Sequence, residues 1–437
     1  SLHDALPISY SQTPEHALVN FLLTNMLKDQ FYRSADAATT TLVSLIQAND
    51  PLFAAKAAVF ARNVFGMRSV SHVVAGELAA SKFEGKRAFY NAVVRRPDDM
   101  GEILGYVFSK ASDRSAQKVP NAMKRGFASA FNKFDNYQIA KYQMGGRNIG
   151  LVDIVNLVHP VPTDRNAMAL TALIKGNLTN ANLTWESALS AAGNDSAKKA
   201  QAWYMLLADN RVGHMALLKN LRNILDLDDR SLAALAASRL TNEDTIRRSL
   251  VFPYRYVIAY NELRSHRNAR WIVEALNTAA EISLNNVPAL PGKTAIVVDT
   301  SGSMFPLYHG GKVSDSPIFT AAAFALALYR RNDADLIHFN DRAEYLNILP
   351  SIPVLAGVDA FLVIKPGGTN FHAIWDTLKR PYDRVIILSD MQAWSGGHHT
   401  AEAELRAYRL RHHTNPQIFN IDLTGYGTMQ QHGSKVW

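Results

Sequence analysis

The chain contains no cysteine, so disulfide staples and thiolate metal sites are both excluded. No apolar run reaches the roughly eighteen residues that a membrane-spanning helix requires. The N-terminus lacks a basic stretch followed by an apolar core, so no secretory signal is read there. Charge is modest at 19% against 48% hydrophobic residues, which is too apolar a balance for a disordered chain. Together these absences lead us to expect a cytoplasmic protein without a membrane partner. Strand-like alternation is also nearly missing before residue 290.

What is present begins with 437 residues, enough for two or three domains, and a net charge of +8. From Lys293 onward 13 basic residues meet 13 acidic ones, so the whole positive excess lies before that point. A polyanion partner is therefore expected for the first part and something different for the second. On charge alone a mildly basic surface kept for solubility is the better reading, and only the residue pattern can displace it.

From about Pro14 to Leu284 the sequence reads as consecutive amphipathic helices with short connections. Asp50 suits an N-cap and Pro51 the first helical position. Phe53, Ala57, Phe60 and Val64 recur at helical spacing and predict a buried stripe, and Gly66 is placed to end the helix. Further helices are expected at 85–95, 97–111, 119–134, 163–176, 195–210, 213–226 and 253–284, the last broken in two. An array of stacked helix pairs is the natural architecture.

The character changes at Asn286-Val-Pro-Ala-Leu-Pro-Gly292, which cannot continue a helix and reads as a linker. Short β-branched runs follow at 294–300, 334–340, 383–390 and 416–423, of the kind buried on both faces of a sheet. Helical segments near 315–331, 351–362, 370–380 and 400–412 separate them. That alternation predicts a doubly wound, mainly parallel α/β domain whose ligands sit beyond the carboxyl ends of its strands.

The first of these strands ends in Asp299-Thr-Ser-Gly-Ser303, which can aim a carboxylate and two hydroxyls at one point. Thr369 and Asp390 fall at corresponding strand ends, giving five oxygen donors suited to a hard divalent cation such as Mg2+. The bland alternative is a polar loop, and the short motif alone would not defeat it. Other chemistries fail on their residues. Gly292-Lys-Thr294 lacks the glycine a phosphate loop needs at Val287, and Ser301 lacks a nucleophile elbow and an evident base. His398-His399 and His412-His413 carry no zinc-site spacing and read as solvent-facing. No catalytic residue is expected, so the chain is read as a non-enzyme.

Between Gly105 and Gly150 eight basic residues face only Asp113 and Asp135, with aromatics interleaved. Lys and Arg neutralise phosphates, and exposed rings stack on unpaired bases. Phe127, Phe131 and Phe134, at helical spacing, are read as core instead.

Here the chain resembles a known family. Phe31-Tyr-Arg-Ser-Ala35, Arg95-Arg-Pro-Asp-Asp-Met100, Asn132-Lys-Phe134, Ala140-Lys-Tyr142, Leu151–Pro160, Leu217–Leu225 and Leu290-Pro-Gly292 look like the TROVE module of Ro proteins. The last part resembles a von Willebrand A domain, with Asp299, Ser301, Ser303, Thr369 and Asp390 at its metal-ion-dependent adhesion site (MIDAS). The resemblance implies a multidomain chain: a ring of HEAT-like helical repeats whose ends are held together by the A-type domain. On it, residues 1–13 form a leader outside the family pattern, 14–285 the helical RNA-binding domain, 286–292 the linker and 293–437 the A-type domain, short by one unit at its end. It further implies binding of small noncoding Y-like RNA on an outer basic surface and of single-stranded ends of misfolded RNA in the ring. A 3′-to-5′ exoribonuclease is an implied partner, and a closed ring is expected to be monomeric. By motif, Lys141 and His159 match RNA-contacting positions, with Lys124, Arg125, Lys133 and Arg147 as neighbours. His159 serves equally well as a helix-end cap. The competing function is a metal-dependent protein-interaction scaffold that binds no RNA.

Overall fold

Helix starts follow their local chemistry. In a computed structural model of the protein, Asp50 accepts hydrogen bonds from the Leu52 and Phe53 N–H groups at 3.0 Å each. Pro51 takes the first helical position, and Gly66 follows the helix end with φ +72°. The structure describes residues 13–27, 34–110, 118–143, 149–178, 185–305, 313–349, 351–392, 401–425, 430–431 and 435–436. Among them no helix is long and apolar enough to cross a membrane.

The chain packs as two compact units, Ser11–Ala191 and Ala192–Trp437. The first is all helix among its described residues. Its core runs from Leu18 to Leu173 and includes Phe127, Phe131 and Phe134, as their spacing predicted. The expected stripe on Pro51–Val64 is corrected in part: Ala57 is buried and Phe53 is half-buried against the core, but Phe60 is 46% and Val64 65% exposed. The buried face is instead Ala54, Ala55, Ala57, Ala58 and Ala61. Small side chains let neighbouring helices approach closely, and that gain outweighs burying the two larger residues.

A second close approach joins the Lys86–Val93 and Asn121–Ala130 helices. A Cβ at Gly126 would lie 2.4 Å from Tyr90 Cβ and 2.8 Å from the Arg87 carbonyl oxygen. Overpacking costs about 1–3 kcal/mol, against a helix-propensity gain of about 1 kcal/mol for Gly→Ala. Gly126→Ala is therefore expected to be destabilising on balance, and faster amide exchange in both helices would show it.

The second unit starts with six helices, from Ser196–Ala208 to Arg270–Ser283, and continues into a five-stranded sheet. The strands are β1 (Thr294–Asp299), β2 (Ala334–Phe339), β3 (Ala343–Tyr345), β4 (Arg384–Ser389) and β5 (Gln417–Asp422). Their order is β3-β2-β1-β4-β5, parallel except for the β2–β3 hairpin. Every residue of β1 is buried, as its β-branched composition predicted. β3 was not expected, since three residues carry too little pattern to read.

The stretch 286–292 lies inside this second unit. Asn332 accepts from the Leu290 N–H at 2.6 Å, and Asp383 accepts from the Lys293 N–H at 2.7 Å. Gly292 has φ +80°, and a Cβ there would meet the Asp383 carboxylate at 2.4 Å. Glu281 then ties the Arg270–Ser283 helix to the helices that flank the sheet, accepting from Arg330 at 2.9 Å and from the Val354 N–H at 3.1 Å. Tyr254 stacks on Phe324 with ring centroids 5.4 Å apart.

Candidate functional site

β1 runs toward β2 on one side and β4 on the other, so the strand order reverses beside it. Ligands of open α/β sheets collect at such a point, beyond the carboxyl ends. Here β1 ends in Asp299, and Asp390 directly follows β4. Asp299 is fully buried and Asp390 is 1% exposed.

The Asp299 carboxylate accepts from the Ser301 N–H at 2.8 Å and from the Ser389 hydroxyl at 2.5 Å. The Asp390 carboxylate accepts from the Gln392 N–H at 3.1 Å. Burial, and next the charge of Asp390, push the Asp299 carboxyl up to about 7. The hydroxyl oxygens of Ser301 and Ser303 lie 3.4 Å apart.

Thr369 arrives on a separate loop that is laced to the first. Ser301 and Gly367 form a parallel bridge, and the Gly302 N–H donates to the Gly367 carbonyl at 3.0 Å. The turn after β2 holds the other side. Asp341 accepts from the Gly368 N–H at 3.0 Å, and the Asn370 N–H donates to the Asn340 carbonyl at 2.9 Å. The five predicted donors therefore stand on three neighbouring segments at one sheet edge.

Two supporting residues escaped the sequence reading. Ser389 precedes Asp390 and, by strand alternation, points elsewhere, toward Asp299. Asp341 sits in the β2–β3 turn, and the only signal for it was its position at a strand end. Among the described residues no three His, Asp or Glu side chains could jointly hold a metal, so a cation here would rest on two carboxylates and three hydroxyls.

The expected RNA-contacting residues fall in less uniform surroundings. Lys124 and Arg125 sit on the Asn121–Ala130 helix, and neither has an ion-pair partner among the described residues. The Lys133 ammonium donates to the carbonyls of Asn91 and Val94 at the end of the Lys86–Val93 helix. Burial lowers its pKa to about 8. Lys141 pairs with Glu186 at 2.9 Å; burial works against its charge, yet Glu186 and Tyr137 hold the pKa above the usual lysine value. His159 is exposed and caps the Leu151–Val158 helix in the left-handed region, φ +47°. Arg147, and likewise His398 and His399, lie outside the described residues.

The Arg95–Met100 string closes a buried ion network. Asp99 accepts from Arg62 and Arg68 at 2.8 Å each and from the N–H groups of Arg95 and Arg96 at 2.9 Å each. His72 stands 3.2 Å from Asp99 and 3.1 Å from Glu102.

Comparison with known proteins then gives four likenesses. The TROVE domain family matches residues 17–174 and 178–286, more than half of the chain. The RNA-binding protein RO60 of Deinococcus radiodurans is 25% identical over 226 residues, 48% of this chain and 42% of that protein. Telomerase protein component 1 of Rattus norvegicus is 26% identical over 140 residues, 30% of this chain and 5% of that protein. The chain thus spans under half the length of the curated relatives it matches. The crystal structure of the Deinococcus radiodurans RO (RSR) protein shares the fold, with a TM-score of 0.67 and 19% identity over 97% of this chain and 95% of that one.

Proposed function

The chain belongs to the TROVE-domain family, and from that premise we propose that it is the RNA-binding core of a Ro-type ribonucleoprotein. The observation that carries this reading is the family match along residues 17–286, the same part that holds the basic excess. In this reading the helices form a HEAT-like ring. Small noncoding Y-like RNA lies along the basic outer surface, and single-stranded ends of misfolded RNA enter the ring. The protein holds RNA for quality control or decay by a partner 3′-to-5′ exoribonuclease and does no chemistry itself. Phosphate neutralisation supplies affinity, and the exclusion of duplexes supplies selectivity.

The sheet part is read as a von Willebrand A-type domain. Its donor set fits Mg2+, since two buried carboxylates and three hydroxyls offer only oxygen to a hard cation. Asp299, Ser301, Ser303, Thr369 and Asp390 would hold the ion, which when bound supplies an electrophilic point for an acidic group of a partner. Ser389 and Asp341 keep the carboxylate and the threonine loop in place. One observation favours the scaffold alternative without RNA: Lys133 and Lys141 are already committed to partners within the chain.

The test is binding of the purified chain to a stem-loop RNA with and without a single-stranded 3′ tail. The tailed RNA is expected to bind at least about tenfold more tightly, a difference of about 1.4 kcal/mol. Its affinity should fall steeply with salt and persist in chelator. Equal affinity for both RNAs would rule out the holding of single-stranded ends. Failure to bind either RNA, together with partner capture abolished by chelator, would establish the scaffold instead.

A further inference from the structure

A groove in the second unit, between the His214–Leu225 and Pro253–Leu263 helices, combines apolar and cationic surface. Met215, Leu218, Lys219 and Arg222 share one helix face at spacings of three and four, and Arg255, Ile258, Ala259 and Glu262 do the same opposite. Together with Leu221 and Leu263 they enclose about 270 Å³. The floor is aliphatic. The rim carries Lys219, Arg222 and Arg255, all exposed and none ion-paired among the described residues, against Glu262 alone. Arg255 also stands 5.4 Å from the Tyr254 ring.

Cations line both banks and outnumber Glu262 three to one, which favours an anionic occupant with a flat apolar part. Two of them are arginines, whose planar forks grip phosphate oxygens in pairs and stack on bases. The aliphatic floor can receive the face of a base without a sequence-specific hydrogen bond.

We propose that this groove is a second RNA site, taking a single-stranded segment with its phosphates on Lys219, Arg222 and Arg255 and a base on the aliphatic floor. The site rests on the RNA-binding reading above but lies outside the Lys124–His159 segment on which that reading places its contacts. It explains why basic residues continue through the second helical part rather than ending with the first.

The test uses the full chain and a fluorescent, unstructured oligouridylate, titrated at several salt concentrations. Wild type is compared with a Lys219→Gln/Arg222→Gln/Arg255→Gln variant and with a Lys124→Gln/Arg125→Gln variant. Each lost phosphate contact on a single strand lowers the log–log salt slope by about 0.7, so the triple variant should lose about 2 in slope and roughly tenfold or more in affinity. Because all three side chains are exposed, its melting curve should match wild type. A 4-thiouridine oligomer bound to wild-type protein should also crosslink to peptides covering 215–222 or 255–263, a readout independent of variant folding. Wild-type binding with an unchanged slope in the triple variant, or no crosslinks there, would reject the groove and leave the RNA reading standing. No binding by wild type would remove both. Displacement by polyglutamate as effective as by unlabelled RNA would assign the groove to an acidic protein segment and overturn the proposal.

Discussion

Replacing Asp99 by alanine is expected to destabilise the first unit by about 3–5 kcal/mol, the cost of removing one partner from a buried ion cluster. Asp99 is fully buried, and the side chains of Arg62 and His72 are only 7% and 5% exposed. Without the carboxylate, buried Arg62 would lose the one ion-pair partner it has among the described residues, Arg68 and His72 would keep only Asp98 and Glu102, and the N–H groups of Arg95 and Arg96 would lose their acceptor. Hydrogen exchange across residues 51–109 is the check, because it reads the opening free energy of this region alone. Asp99→Ala with unchanged protection would show the cluster to be ornamental. Asp99→Asn, which keeps an acceptor but not the charge, should fall between the two.

The same cluster sets a pH window. Burial works against the Asp99 charge, but His72, Arg62 and Arg68 outweigh it and hold the carboxyl well below its ordinary 3.8. That contribution is present above pH 3.8 and is lost as pH falls through the depressed value. Burial also works against charged His72, but Asp99 and Glu102 overcome it and raise its pKa above 6.5. That contribution is complete below pH 6.5 and is lost as pH rises through the raised value. Protection of residues 51–109 should therefore be greatest between the two limits.

The cluster also marks what one sequence could and could not disclose. The strands were legible because runs such as Thr294–Asp299 are mostly β-branched, and burial on both faces leaves no alternation to misread. That the candidate oxygen donors would gather was legible because the fold rule sends ligands to strand ends, and Asp299 and Asp390 stand there. Arg95–Met100 was legible only as a family string. The partners of Asp99 come from Arg62, Arg68 and His72, on segments that nothing local joins to it. Lys133 shows a related limit: its charge suggested a phosphate, and only the folded chain brings the Asn91 and Val94 carbonyls to it. The alanine face of Pro51–Val64 lost to the aromatic stripe because periodicity weighs size, whereas close helix contact rewards smallness. The division near residue 191 left no mark in composition, while the Pro/Gly stretch at 286–292 did and yet joins parts of one unit.

The metal reading yields the second large expected effect, an inversion of stability order. Asp299→Asn preserves shape: its amide oxygen can accept from the Ser301 N–H, and its NH2 can donate to the Ser389 hydroxyl. In metal-free protein the wild-type carboxylate is the liability, because burial and Asp390 raise its pKa from 3.8 to about 7. A raised carboxyl costs stability as pH climbs from the unfolded value through the folded one, so at pH 8, where the carboxyl is mostly ionised, nearly the whole cost is present. The variant escapes that cost and should be more stable than wild type in chelator at pH 8, by on the order of 1 kcal/mol or more. Magnesium should reverse the order. At a hundredfold excess over its dissociation constant a ligand adds about 2.7 kcal/mol to the form that binds it, and the variant, lacking the charge, should gain little. Thermal melts of both proteins with chelator and with Mg2+ read all four values. A crossing of the two curves requires a carboxylate that is strained alone and relieved by a cation. A wild type insensitive to Mg2+ would leave Asp299 as a buried acid held by two serines and remove the metal site from the molecule.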